Sequence, residues 1–263
     1  MLQYIIEITF KVVFMNILQN GLVSLVPPSA QNIFVLILFY LAAAVIAYLL
    51  GSINSAIIIS KIFYGGDVRK FGSGNAGTTN MLRTYGKGAA VFTLLGDIVK
   101  TVLAIFIAAI IGGFRFYGGY SVSTFCYIAG LACILGHIYP IYYGFKGGKG
   151  VLCTATAIAM LSIKVFAVVF VVFVIIVAIT KYVSLGSCIT AMMYPFILAR
   201  FVIFRLNGIM LSQLAIALFE MLLVVWCHRK NIMRLINGEE SKISFKSRKK
   251  VEEPLTDSAE DEQ

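Results

Sequence analysis

Two glycine-rich stretches and one short polar motif carry residue types able to grip a phosphate group and move a proton. The first is Gly72-Ser-Gly-Asn-Ala-Gly-Thr-Thr-Asn-Met-Leu-Arg83. Gly72, Gly74 and Gly77 let backbone N–H groups turn toward a common point and hold an anion. Ser73, Asn75, Thr79 and Asn80 add donors, and Arg83 brings a planar fork suited to phosphate. The same glycines form a G-x-G-x-x-G. A dinucleotide fingerprint, however, needs a buried strand before it and a crossover helix after it. Asp67-Val-Arg-Lys-Phe71 is no such strand, so dinucleotide binding is rejected. The other reading is a loop that only turns between helices, although a plain turn does not need so many donors.

The second stretch, Phe145-Lys-Gly-Gly-Lys-Gly150, runs directly into an apolar segment starting at Val151. Glycines leading into a helix N-terminus present free N–H groups and a positive dipole end, and Lys146 and Lys149 add charge around Gly147, Gly148 and Gly150. It is not a nucleotide P-loop. Tyr143 stands where the first glycine is required, and Gly150 where a Ser or Thr must follow the lysine. An ordinary basic turn is the plainer alternative. In the polar motif His228-Arg-Lys-Asn231, His228 and Asn231 share a helix face. A histidine there is either structural or a proton acceptor near neutral pH, and His137, just ahead of the second stretch, poses the same choice. Asp97 and Lys100, three residues apart, fall inside an apolar segment. They either neutralise one another or belong to a site.

Some chemistries are missing. No carboxylate cluster has metal-ligand character, so a metal-dependent phosphotransferase is disfavoured. Neither histidine has an acid five residues on, where Tyr142 and Met233 stand. The His-x4-Asp dyad of the common glycerolipid acyltransferases is therefore lacking. The five cysteines, Cys126, Cys133, Cys153, Cys188 and Cys227, fit neither a disulfide framework nor a zinc site and read as small packing residues.

The elements that must position these groups are membrane helices. Of 263 residues, 60% are apolar and 13% charged, where a soluble domain has roughly a quarter charged. This excludes a soluble enzyme. No charged residue occurs between Lys11 and Lys61 or between Arg115 and Lys146, and a helical span needs about 20 apolar residues. The expected fold class is all-α, a polytopic integral membrane protein. The net charge of +10 is uneven: residues 1–238 hold 17 basic and four acidic residues, the last 25 hold five and eight. The basic residues sit in short loops beside hydrophobic segments. That pattern is the positive-inside bias of a membrane protein, with an anionic ligand in the loops as the further possibility and nucleic acid not expected.

Residues 1–31 read as an N-terminal extension whose apolar stretch lies in the interface, spans, or is accessory. It has no basic n-region or cleavage site of a signal peptide. Residues 32–238 read as the membrane domain and 239–263 as a disordered tail. Apolar segments follow at about 32–51, 56–63, 89–112, 122–143, 151–163, 165–180, 183–203 and 209–227. A break at Lys164 brings the basic loops 64–88, 144–150 and 181–182 and the C-terminus to the cytoplasmic side. About seven spans then follow residue 32.

Together these stretches resemble one family, the acyl-phosphate:glycerol-3-phosphate acyltransferases (PlsY). The resemblance rests on GSINSAIIISK, DVRKFGSGNAGTTNMLRTYGKG with LLGDIVK, GHIYPIYYGFKGGKGV, KYVSL and HRKNIMRLINGEE, in that order from about 50 to 240. It implies a seven-helix fold with its site at the cytoplasmic face of the plasma membrane. It also implies transfer of a fatty acyl group from acyl phosphate to the 1-hydroxyl of glycerol 3-phosphate, giving lysophosphatidic acid. No cofactor or metal is implied, the partners are the two substrates and the bilayer, and a monomer suffices. Ser73, Arg83, His228 and Asn231 become the expected catalytic residues. Gly74, Asn75, Thr79, Asn80, Lys100, His137, Lys146, Gly147, Gly148, Lys149 and Gly150 are expected to bind substrate, with Asp97 and Glu239 (or Glu240) in support. The chain departs from the family at Asn54, where proline is usual, and at Thr78, where alanine is common.

Overall fold

The computed structural model describes residues 11–17, 20–27, 33–112, 124–203 and 210–243. The expectations for residues 1–10, for parts of the extension up to 32 and for the tail beyond 243 lie outside the described residues. Among the described residues every regular element is helical.

The first long helix, α1 (Ile33–Ser52), breaks at Ile53-Asn54 and resumes as α2 (Ser55–Tyr64). Asn54 makes the restart. Its side-chain oxygen accepts from the Ile57 N–H at 3.1 Å, an N-cap, and its amide donates to the Ala76 carbonyl at 3.4 Å. The residue that departs from the family thus caps a helix and ties it to the first glycine loop. Helix α3 (Thr78–Tyr85) closes that loop. Next come α4 (Lys87–Gly112) and α5 (Thr124–Ile138).

Small residues bring α1 and α5 together. Ala43, Ala47 and Gly51 recur every fourth residue on the buried face of α1, the small-residue spacing by which membrane helices approach closely. A Cβ on Gly51 would run into the Cys133 carbonyl, and one on Gly136 into the backbone of Tyr48 and Ser52. Buried residues lie all around α5, as expected of a helix at the centre of a bundle.

The segment expected to divide at Lys164 divides at Ser162, two residues earlier, into α6 (Val151–Leu161) and α7 (Ile163–Thr180). Ser162 caps the second piece, accepting from the Val165 N–H at 3.5 Å. Helix α8 (Val183–Ile203) follows, then α9 (Met210–Cys227) and, after a 56° bend at His228, the short α10 (Arg229–Ile236).

Phe92, Phe196 and Leu211 are 66%, 71% and 78% exposed, a lipid-facing surface rather than a solvated one. Among the described residues five helical segments are long and apolar enough to cross a membrane, six if the bent α9–α10 pair is one span. The count of about seven is not reproduced on these grounds, because α6 has 11 residues and covers only about 16 Å at 1.5 Å per residue.

Candidate active site

The loops that the charge pattern assigned to one side meet at one end of the bundle. Arg69 joins the first two. Its guanidinium holds Asp67 by two donors, the shortest at 2.7 Å, while Nη1 donates to the carbonyls of Tyr143 and Lys146 at 2.8 and 2.9 Å. The Arg69 hydrogen bond holds the Asp67 carboxyl below its usual range, and Asp67 in turn raises Arg69. Nothing in the sequence beyond the run DVRK marked this staple. Arg69→Ala should lower kcat/KM about tenfold by letting the loops drift, while Arg69→Lys recovers only part because it lacks the fork; steady-state kinetics on the two variants checks this.

Asn80 turns inward. Its oxygen accepts from the Ser73 N–H at 2.9 Å and its amide donates to the carbonyls of Phe71 and Val68 at 3.0 and 3.2 Å. It therefore shapes the loop that presents Ser73. Gly72 at φ 58° admits no side chain there, since a Cβ would strike the Asn80 oxygen.

The second glycine stretch lies against the first. The N–H groups of Gly147 and Gly148 donate to the carbonyls of Ile138 and His137 at 3.0 and 3.1 Å. A Cβ on Gly148 would strike the His137 ring and lie 2.8 Å from the Ala76 carbonyl oxygen. Gly147 and Gly148 thus serve close approach, and they do not border the cavity described below. Neither do Gly74 and Lys146, and Lys146 is exposed.

Lys100 is also withdrawn from the binding role expected of it. Its ammonium contacts the Asp97 carboxylate at 2.8 Å, the Ile53 carbonyl at 3.0 Å and His137 Nδ1 at 2.9 Å, so three buried neighbours enclose it. Ser55 donates to the same Asp97 oxygen at 3.1 Å. Asp97, His137 and Cys153 offer ligand atoms within 4.8 Å of one another, but the Lys100 ammonium sits where a cation would bridge Asp97 and His137. The cluster locks α2, α4 and α5 together. Removing one member of such a buried pair typically costs about 3–5 kcal/mol.

A third assembly comes from the far end of the chain. Lys149 donates to the Asn231 side-chain oxygen, and the Asn231 amide donates to Glu240 at 2.6 Å. Ser184 donates to the same Glu240 oxygen at 2.7 Å, and Arg234 pairs with the other at 2.9 Å. The supporting glutamate is thus Glu240, while Glu239 is exposed. The chain also continues onto the body past 239, where a tail was expected, and the Ile243 N–H donates to the Lys181 carbonyl at 2.8 Å. Arg234 and its companions hold Glu240 below the usual carboxylate range against the opposing effect of burial.

Burial pulls Lys149 down to about 8, with Arg234 adding to the fall and Glu240 opposing it. A lysine that binds phosphate must be charged, so kcat/KM should decline above about pH 8. Glu240→Gln removes a charge that raises Lys149 and should move the decline to lower pH. Lys149→Arg should remove it altogether. The pH profiles of the three proteins measure this directly.

His228 is 3% exposed, at the bend between α9 and α10. Its Nδ1–H donates to the Val224 carbonyl at 2.8 Å, which leaves the Nε2 lone pair available as an acceptor.

These groups surround one cavity of about 660 Å³. Ser73, Asn75, Thr79, Asn80, Arg83, Lys149, Gly150, His228 and Asn231 border it, as do Asp97 and His137 from below. Arg83 is half-buried, and no carboxylate among the described residues pairs with it. Beyond the charged end the wall turns apolar, with Leu152, Ile158, Phe166, Val169 and Phe173. Thr154, Ser184, Ser187 and Thr190 also border the cavity. Their hydroxyls lie in apolar helical runs whose composition gives no hint of a site.

A cationic, donor-rich pocket with an apolar wall, set in a bundle of membrane helices, has the chemistry to hold an amphiphilic, phosphorylated molecule. Comparison with known proteins agrees and is more specific. The profile of the family named glycerol-3-phosphate acyltransferase matches residues 41–238. The glycerol-3-phosphate acyltransferase of Clostridioides difficile is 41% identical over 211 residues, covering 79% of this chain and 97% of that protein. That of Finegoldia magna is 38% identical over 209 residues, covering 78% and 97%. Among solved structures, the glycerol 3-phosphate form of the integral membrane glycerol 3-phosphate acyltransferase PlsY superposes with a TM-score of 0.67 at 35% identity, covering 78% of this chain and 96% of the other. Its lysophosphatidic acid form gives 0.65 at 33% identity, with the same coverage. This chain belongs to the glycerol-3-phosphate acyltransferase family.

Proposed function

We propose that the protein transfers a fatty acyl group from an acyl phosphate to the 1-hydroxyl of glycerol 3-phosphate. The products are lysophosphatidic acid and inorganic phosphate, the first acylation in building membrane phospholipid. The reading places the site at the cytoplasmic face of the plasma membrane, with the monomer as the working unit. The observation that carries it is the convergence of two glycine-rich basic loops on one cavity that continues into an apolar groove. Arg83, Lys149 and the Ser73 region grip phosphate oxygens, and the groove takes the alkyl chain.

In the reaction the glycerol hydroxyl oxygen bonds to the acyl carbon, the bond from that carbon to the phosphate oxygen breaks, and phosphate departs with the electron pair. The hydroxyl proton passes to His228 Nε2 or to a substrate phosphate. An acyl phosphate is a mixed anhydride whose phosphate leaves readily. Catalysis therefore rests on positioning and on donors aimed at developing charge, as the loops supply.

The test is purified protein in detergent with glycerol 3-phosphate and, separately, acyl phosphate, acyl-CoA or acyl carrier protein as donor. Release of lysophosphatidic acid with acyl phosphate alone is expected. Turnover only with one of the thioesters overturns the donor, and no acylated product with any donor overturns the reaction.

A further inference from the structure

The cavity has a charged end and an apolar end, and the apolar end is closed. Lys149, which leads into α6, donates to Asn231, and Lys181, which follows α7, accepts from the Ile243 N–H on the segment that carries Glu240. Both helices therefore have one end at the charged groups, and the turn at Ser162 joins them at the other. Toward that turn the bordering residues run as far as Ile158 on α6, Phe166 on α7 and Ala191 on α8. Just beyond, Leu161, Val165 and Tyr194 are 8%, 0% and 2% exposed and belong to one packed cluster. None of the three borders the cavity.

Phe166 stands at this boundary. It borders the cavity and is half-buried, it packs against the cluster, and its ring stacks on Phe170 with centroids 5.3 Å apart and planes 21° apart. Close-packed surroundings give such a ring little room to move, so it stops a chain instead of yielding to it. Phe170 is 49% exposed and faces lipid. Charge fixes one end of an amphiphile in this cavity. The length of its chain then decides whether the other end stops short of the Phe166 ring, touches it or overruns it.

We propose that Phe166 is the end wall of the apolar groove and sets the chain length that the enzyme accepts. The proposal rests on the acyl-transfer reading above: the occupant is the acyl chain of the donor, anchored by its phosphate at Arg83 and Lys149.

Acyl phosphates of graded length give kcat/KM against chain length for the parent, Phe166→Ala and Ala191→Leu. The parent profile should rise as methylenes fill the groove and break where the chain meets the ring. Phe166→Ala should move the break to longer chains, and Ala191→Leu, which adds bulk at the same level, to shorter ones. The preference between a chain beyond the break and one short of it should change about tenfold, the low end of what a methylene is worth in an apolar pocket. Comparing variant with parent at each length cancels partition of the donor into detergent. Val171→Ala, on the same helix and 54% exposed, should keep the parental profile.

An unmoved break in Phe166→Ala overturns the proposal, whatever Ala191→Leu does. So does a parent profile with no break, since the chain then passes Phe170 into lipid, or a Val171→Ala shift as large as that of Phe166→Ala. Should Phe166→Ala not yield folded protein, Phe166→Leu makes the same comparison. Alkyl phosphates of the same lengths cannot transfer an acyl group, and their binding by calorimetry keeps the wall separate from the reaction. An affinity break that moves with Phe166→Ala supports the wall even where no acyl donor turns over. The same affinity profile in parent and variant removes the wall while leaving the acyltransferase reading intact.

Discussion

Arg83→Lys should reduce turnover about 100-fold while leaving the folded protein as stable as the parent. Arg83 borders the cavity and pairs with no carboxylate among the described residues, so its fork is not committed to holding the fold. Lysine keeps the charge and loses the two parallel N–H donors that match a phosphate. One lost charge-assisted hydrogen bond with the accompanying misplacement is worth about 3 kcal/mol, which is roughly two powers of ten in rate. Arg83→Ala, which removes the charge as well, should fall further. Lysophosphatidic acid formation measured against both substrates, beside a thermal melt, checks it. Activity within threefold of the parent would remove Arg83 from the phosphate clamp.

Gly148→Ala should be comparably severe for a different reason. The added methyl has no room, since its carbon would strike the His137 ring and lie 2.8 Å from the Ala76 carbonyl oxygen. His137 is itself fixed by Lys100, and Ala76 belongs to the loop anchored by Asn54, so neither yields cheaply. The two loops must move apart, and a shift of about 1 Å in a positioned site costs roughly 100-fold. Gly88→Ala is the control. Gly88 lies in the first turn of α4 with open space around its Cβ position, and alanine there should be neutral or slightly stabilising. Activity and melting temperature of the pair separate lost geometry from a generic effect of glycine replacement.

Much of this was legible in residue types. A chain with 49 consecutive residues free of charge between Lys11 and Lys61 has no soluble alternative, and the lysines and arginines beside glycine runs marked the loops that meet at one end of the bundle. What composition does not carry is direction. Asn80 and Ser73 look alike as donors in a loop, yet Asn80 bonds inward and builds the turn. Lys100 is indistinguishable from a ligand-binding lysine until Asp97, Ile53 and His137 are seen to enclose its ammonium. Glu239 and Glu240 are chemically identical neighbours. The turn after α10, with the Glu240 N–H on the Arg234 carbonyl at 3.1 Å, decides which one reaches Asn231. Arg69 was hidden because it reaches the second loop through the backbone carbonyls of Tyr143 and Lys146, which leave no trace in residue types. The break expected at Lys164 came at Ser162, where the hydroxyl cap fixes the helix start more sharply than a charge does.

The shortness of α6 bears on how product leaves. A helix of 11 residues matches about half of a hydrocarbon core roughly 30 Å thick, the depth of a single leaflet. On the acyl-transfer reading, an alkyl chain seated along α6 stays within the depth of that one leaflet. That reading expects departure sideways between helices into neighbouring tails, a route on which the hydrocarbon meets no water.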